Sequence, residues 1–169
     1  MLVEPVAVTP VAEVSAAHFI AAGGAGMSGI AKLFADSGVR VSGSDQADSA
    51  ALRALGEAGV EVSVGHDASQ VGDVDVVVVS SAIKPDNIEL VEAQRRGIPV
   101  WHRSAGLAAL MQGKAGVCVT GTHGKTTTSG MTAVMLTAAG LDPSYVIGSP
   151  LAASGLTAHL GSGPAFVVA

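Results

Sequence analysis

His18-Phe19-Ile20-Ala21-Ala22-Gly23-Gly24-Ala25-Gly26-Met27-Ser28-Gly29 is the stretch whose reading decides the fold. A short apolar run enters a glycine-rich turn, and the turn opens a segment in which Ile30, Leu33 and Phe34 recur at helical spacing. Strand, glycine turn and helix in that order form the layout of a diphosphate-binding βαβ unit. Glycine lets the backbone approach a phosphate, and the amides and dipole of the helix start favour its charge. Gly23 and Gly26 fill the second and third glycine positions of the dinucleotide fingerprint, and Ala21 stands at the first. A turn used only for tight helix–sheet packing would read the same way.

The alternation continues outward. Apolar runs predict strands at 18–22, 39–42, 60–64, 74–80, 98–101 and 116–120, several of them continuous, as in parallel sheets covered on both faces. Helices are predicted over 26–37, 49–58, 87–96 and 104–111, with Ser49 as a cap and Gly38 and Gly97 as exits. The fold class is therefore α/β, a Rossmann-like parallel-sheet domain over 15–113 preceded by a loose tail, 1–14. Gln112-Gly113-Lys114 reads as a hinge, and 114–169 as the beginning of a second α/β domain. That part holds a strand at 116–120, a helix at 125–139, a strand at 145–147 and an apolar run at 165–169. So few strands are not expected to close a sheet and a core, so it reads as truncated.

Composition removes several classes of function. The chain has 169 residues and a net charge of −5, which gives no basic field for nucleic acid. It is 49% hydrophobic but only 3% aromatic, so its core is built from small aliphatic side chains. No uncharged apolar run reaches the roughly 18–20 residues of a membrane span. One cysteine, Cys118, rules out an intramolecular disulfide and suits a reducing compartment. With no basic start resembling a signal peptide, the expected location is cytoplasmic. The five histidines lack the spacing of a zinc site.

A second glycine turn is Thr120-Gly121-Thr122-His123-Gly124-Lys125-Thr126-Thr127-Thr128. It joins a strand to a helix, so the backbone of Gly121, Thr122, His123, Gly124 and Thr127 can wrap phosphates. Lys125 would meet the β/γ oxygens of ATP and the Thr126 hydroxyl Mg²⁺. The loop is two residues shorter than the general P-loop. Around the first turn, Asp45 lies about 20 residues on, where an acidic group reaches a ribose hydroxyl, which on pattern alone permits NAD; capping the next helix is the alternative. Ser80 and Ser81 end the strand at 74–80, where they could meet phosphate or sugar, or cap the following turn.

Two nucleotide loops in this order, with Gly121 to Thr128 as the short version, resemble the Mur ligase family. Gly43-Ser44-Asp45, Val78-Val79-Ser80-Ser81-Ala82-Ile83 and Ile98-Pro99-Val100 carry the resemblance further. It implies a three-domain enzyme of peptidoglycan precursor synthesis in which ATP, with Mg²⁺, phosphorylates the carboxylate of UDP-N-acetylmuramate and L-alanine displaces the phosphate. Gly23, Gly24, Ala25, Gly26, Met27, Ser44, Asp45, Ser80 and Ser81 would line the UDP-sugar site, and Lys125 would be catalytic. L-Alanine would bind a C-terminal domain missing here, so the piece alone is expected to be inactive. An NAD-dependent oxidoreductase, a noncatalytic UDP-sugar-binding module and, within the family, a peptide-recycling ligase are the alternatives.

Overall fold

The computed structural model describes residues 6–169, and the chain divides into two units after Leu110. Of the expected tail, residues 1–5 lie outside the described residues. Val11–Glu13 make one 3-10 turn, and Val14 is buried.

The first unit is built on a five-stranded parallel sheet of β1 (Ala16–Ile20), β2 (Arg40–Asp45), β3 (Glu61–Val64), β4 (Val76–Val79) and β5 (Val100–His102), in the order β3-β2-β1-β4-β5. Its helices are α1 (Met27–Asp36), α2 (Ala50–Glu57), α3 (Ile88–Arg95) and α4 (Arg103–Met111). This is the expected Rossmann-like α/β architecture. β1 begins two residues earlier than its apolar run because Ala16 and Ala17 already pair with Arg40 and Val41.

The two central strands, β1 and β4, are covered on both faces, which is why they are apolar apart from His18, whereas β2 and the edge strand β3 carry polar residues. On one face Phe19 meets Phe34 of α1 edge-on, ring centres 5.3 Å apart, and α4 lies at Gly106 against Ile30 and Val78. On the other, Ile20, Val77 and Val79 pack against Leu90 and Ala93 of α3. Ser49 accepts the Leu52 N–H at the start of α2, and Asn87 accepts those of Glu89 and Leu90 at the start of α3. Such caps contribute about 1 kcal/mol each.

A buried polar network ties α3 to the sheet. The Glu89 carboxylate, fully buried, accepts from Ser44 Oγ at 2.6 Å and His66 Nδ1 at 3.0 Å, with His18 Nε2 3.6 Å away. Burial pushes the Glu89 carboxyl up, but the facing His18 ring and the Ser44 and His66 donors outweigh it and hold it below its ordinary value.

The second unit contains β6 (Ala115–Cys118), α5 (Lys125–Ala138), β7 (Ser144–Val146), β8 (Ala158–His159) and β9 (Ala165–Val168). Contrary to expectation it forms a four-stranded sheet, β6-β9-β7-β8, with β8 antiparallel to β7. A small core of Ala133, Tyr145, Ile147 and Val167 lies under α5. The additional strand comes from the glycine- and serine-rich segment, where two residues pair with Tyr145 and Val146. No helix of the described residues is long and apolar enough to cross a membrane.

Candidate functional site

In the first unit the strand order reverses between β1 and β4, since β1 leads to β2 on one side while β4 and β5 lie on the other. Open α/β sheets bind ligands in the crevice at the carboxyl ends of such strands. The ends of β1, β2, β4 and β5 bring together the glycine turn, Asp45, the Ser80-Ser81 pair and His102-Arg103.

The turn spends most of its amides on its own shape. Ala22 N–H donates to Ser44 O, Gly23 N–H to Asp45 Oδ2 at 3.0 Å, Gly24 N–H to Ala21 O, and Met27 N–H to Gly24 O. Those of Ala25 and Gly26, immediately before α1, have no acceptor among the described residues. Two backbones are left-handed here, Ala21 at φ 61° and Gly26 at φ 82°. Ala21 thus holds the conformation for which the fingerprint's first glycine is suited.

The expected residues differ in what they present. Gly23, Gly24, Ala25 and Gly26 form the rim of the site. Met27 is buried beneath it, and Ser44 is fully buried with its hydroxyl on Glu89, so neither side chain is on the ligand surface. Asp45 holds the Gly23 and Ala47 amides, at 3.0 and 3.3 Å, and so shapes the turn. Ser80 Oγ accepts the Ala82 N–H at 3.4 Å, a turn-capping role. Ser81 is exposed and lies 3.0 Å from His102 Nε2. His102 Nδ1 accepts from the Ser104 N–H, so the ring proton sits on Nε2 and the Ser81 hydroxyl proton points elsewhere. Burial, and then the Arg103 charge, lower the His102 pKa from its ordinary value.

Sequence reading passed over His102 and Arg103. Their only signal in the sequence is position, at the carboxyl end of a strand whose place in the sheet no local pattern encodes.

In the second unit Gly121 is at φ 139° and Gly124, the N-cap of α5, at φ 79°. The Lys125 ammonium folds back across the loop, donating to Gly121 O at 2.7 Å and Thr122 O at 3.5 Å. Gly121, Thr122, His123, Gly124 and Thr127 are exposed, while Lys125 and Thr126 are half-buried. Gly148, just after β7, was not anticipated: a Cβ there would come within 2.9 Å of Thr126 Oγ1. The described residues contain no group of three or more histidine, cysteine, aspartate or glutamate side chains that could hold a metal ion.

Comparison with known proteins gives consistent relatives. The Mur ligase family, catalytic domain, matches residues 16–115. A UDP-N-acetylmuramate--L-alanine ligase of Cutibacterium acnes is 62% identical over 167 residues, 99% of this chain and 34% of the relative. The crystal structure of a UDP-N-acetylmuramate-alanine ligase from Thermotoga maritima superposes with a TM-score of 0.82 at 29% identity, over 92% of this chain and 36% of that one. That of a UDP-N-acetylmuramate:L-alanyl-gamma-D-glutamyl-meso-diaminopimelate ligase from Neisseria meningitides gives 0.83 at 29% identity, over 91% and 52%. The chain spans about a third of the length of the curated relatives it matches.

Proposed function

This chain belongs to the Mur ligase family, and from that premise we propose that it carries the UDP-N-acetylmuramate and ATP sites of an ATP-dependent ligase acting in the cytoplasm. The whole protein would join L-alanine to the muramoyl carboxylate. The name of the 62%-identical relative supports L-alanine over the peptide named for the Neisseria structure.

In this reading the diphosphate rests on the Ala25 and Gly26 amides at the start of α1, with Ser81 beside it and Asp45 holding the turn in shape. ATP phosphates lie in the loop from Gly121 to Thr127. The lone observation that carries the reading over an NAD-dependent oxidoreductase is this second loop, with Lys125 already drawn across it, for which a hydride-transfer enzyme has no use.

The half-buried Thr126 hydroxyl, kept open on one side by Gly148, fits a Mg²⁺ ligand, although the described residues supply no carboxylate cluster to complete the shell. Bound Mg²⁺ would neutralise charge on the transferring phosphoryl group. Lys125 exchanges its loop carbonyls for phosphate oxygens and stabilises negative charge there. The muramoyl carboxylate attacks the γ-phosphorus, ADP leaves, and the amine of L-alanine then displaces phosphate from the acyl phosphate.

Calorimetric titration of the chain with UDP-N-acetylmuramate and with NAD tests the first site. Heat on adding the sugar nucleotide and none with NAD is the expected result. Tight binding of NAD with no response to the sugar nucleotide overturns the reading.

A further inference from the structure

We propose that Arg103 is the cation that binds the diphosphate of the nucleotide sugar at the first glycine turn. The proposal rests on the UDP-sugar reading of that site and adds to it a residue outside the glycine motif.

A Cβ built on Gly26 would lie 2.8 Å from Arg103 Nη1, so the guanidinium rests against the backbone of the α1 N-cap. Backbone dimensions then put Nη1 no more than about 5 Å from the Gly26 nitrogen. One phosphate oxygen accepting from both donors at roughly 2.9 Å each can bridge such a gap.

The electrostatics of this placement call for an anion. A helix N-terminus carries a partial positive charge of about half a unit, and a guanidinium beside it is repelled. Arg103 makes no hydrogen bond or ion pair with the described residues, and the nearby Asp45 carboxylate is engaged with the Gly23 and Ala47 amides. The other arginines are all engaged: Arg53 with Asp48, Arg95 with Glu92, Arg40 with Asp73 O and Arg96 with Val71 O. Arg103 alone presents its donors to the crevice. A doubly charged diphosphate placed between the guanidinium and the helix start converts two repelling positive ends into one site.

The position is fixed by the fold. β5 pairs with β4 through Val79 and His102, so the next residue emerges at the crevice where β1 also ends. Arg103 opens α4, which lies at Gly106 against Ile30 and Phe34 of α1, holding the guanidinium and the glycine turn in register. A lysine would supply charge without the planar fork that meets two oxygens at once.

The test is titration of the wild-type chain, Arg103→Met and Arg103→Lys with UDP-N-acetylmuramate, UDP and uridine at several salt concentrations, with circular dichroism to establish folding. Arg103→Met is expected to bind UDP and the sugar nucleotide roughly ten- to a hundredfold more weakly, with uridine unaffected. Arg103→Lys should fall in between, and the salt dependence of UDP binding should be shallower in Arg103→Met. Equal UDP affinity in wild type and a folded Arg103→Met overturns the role of Arg103 and leaves the site reading intact. Should Arg103→Met not fold, Arg103→Gln replaces it, and undiminished UDP affinity in that variant is equally fatal. A wild-type chain that binds neither UDP nor the sugar nucleotide overturns the site reading and this proposal together.

Discussion

The Asp45 carboxylate accepts the Gly23 N–H at 3.0 Å, and a Cβ on Gly23 would lie 3.0 Å from the same oxygen and 2.6 Å from Ser49 Oγ. The glycine turn is thus clamped from β2 and the α2 cap, and that clamp leaves room for no side chain at position 23. Gly23→Ala should force Asp45 and Ser49 aside and lower affinity for UDP-N-acetylmuramate at least tenfold, on the order of 1.4 kcal/mol, with native circular dichroism retained. Undiminished affinity by calorimetry would show that the clamp is dispensable.

Ala21 at φ 61° bears the left-handed penalty of about 1–2 kcal/mol that a Cβ incurs. Ala21→Gly removes it, and the greater freedom of glycine in the unfolded chain offsets about 0.4–1 kcal/mol. A net stabilisation of roughly 0.5–1 kcal/mol should appear in urea unfolding, and a lower midpoint for the variant would refute it.

Lys125 is held across the second loop by Gly121 O and Thr122 O, so its charge is in place before any phosphate arrives. Lys125→Ala is expected to weaken MgATP binding about tenfold or more and to leave affinity for the UDP sugar unchanged. Equal loss of both ligands would argue against two separate phosphate sites.

Asp142 accepts from the Ser162 N–H at 2.7 Å, from His159 Nε2 at 2.9 Å and from Ser162 Oγ, clamping the segment around β8 to the turn before β7. The Ser162 backbone donor, then His159 and the Ser162 hydroxyl, lower its carboxyl from the usual 3.8 to about 2. The contribution of the ionised group is therefore fully present above pH 3.8 and lost as pH falls through about 2. Asp142→Asn should lower the unfolding midpoint at pH 6, and the gap to wild type should narrow as pH drops from about 4 to 2. A gap independent of pH over that window would assign the effect to packing alone.

Local pattern was sufficient for the frame of the first unit. The apolar runs, the glycine turn at Gly23 and Gly26 and the Ser49 cap, like the Gly124-Lys125 helix start of the second unit, are set by backbone conformation and short-range hydrogen bonds, which neighbouring residues specify. The family resemblance was legible for the same reason, because glycine and lysine at fixed spacing are what a phosphate demands of a backbone.

Partners distant in sequence were decided only by the tertiary structure. Ser44 and Asp45 are adjacent on β2, yet alternation across the strand sends the Ser44 hydroxyl to buried Glu89 and the Asp45 carboxylate to the glycine turn. β8 is two residues long and has no pattern of its own; it exists because Tyr145 and Val146 offer an edge to pair with. Arg103 reaches Gly26 only because β5 lies beside β4 and β4 beside β1, an order of strands that no local sequence encodes. Side-chain direction and strand order depend on contacts made across the whole unit, and the charge over the glycine turn is set there.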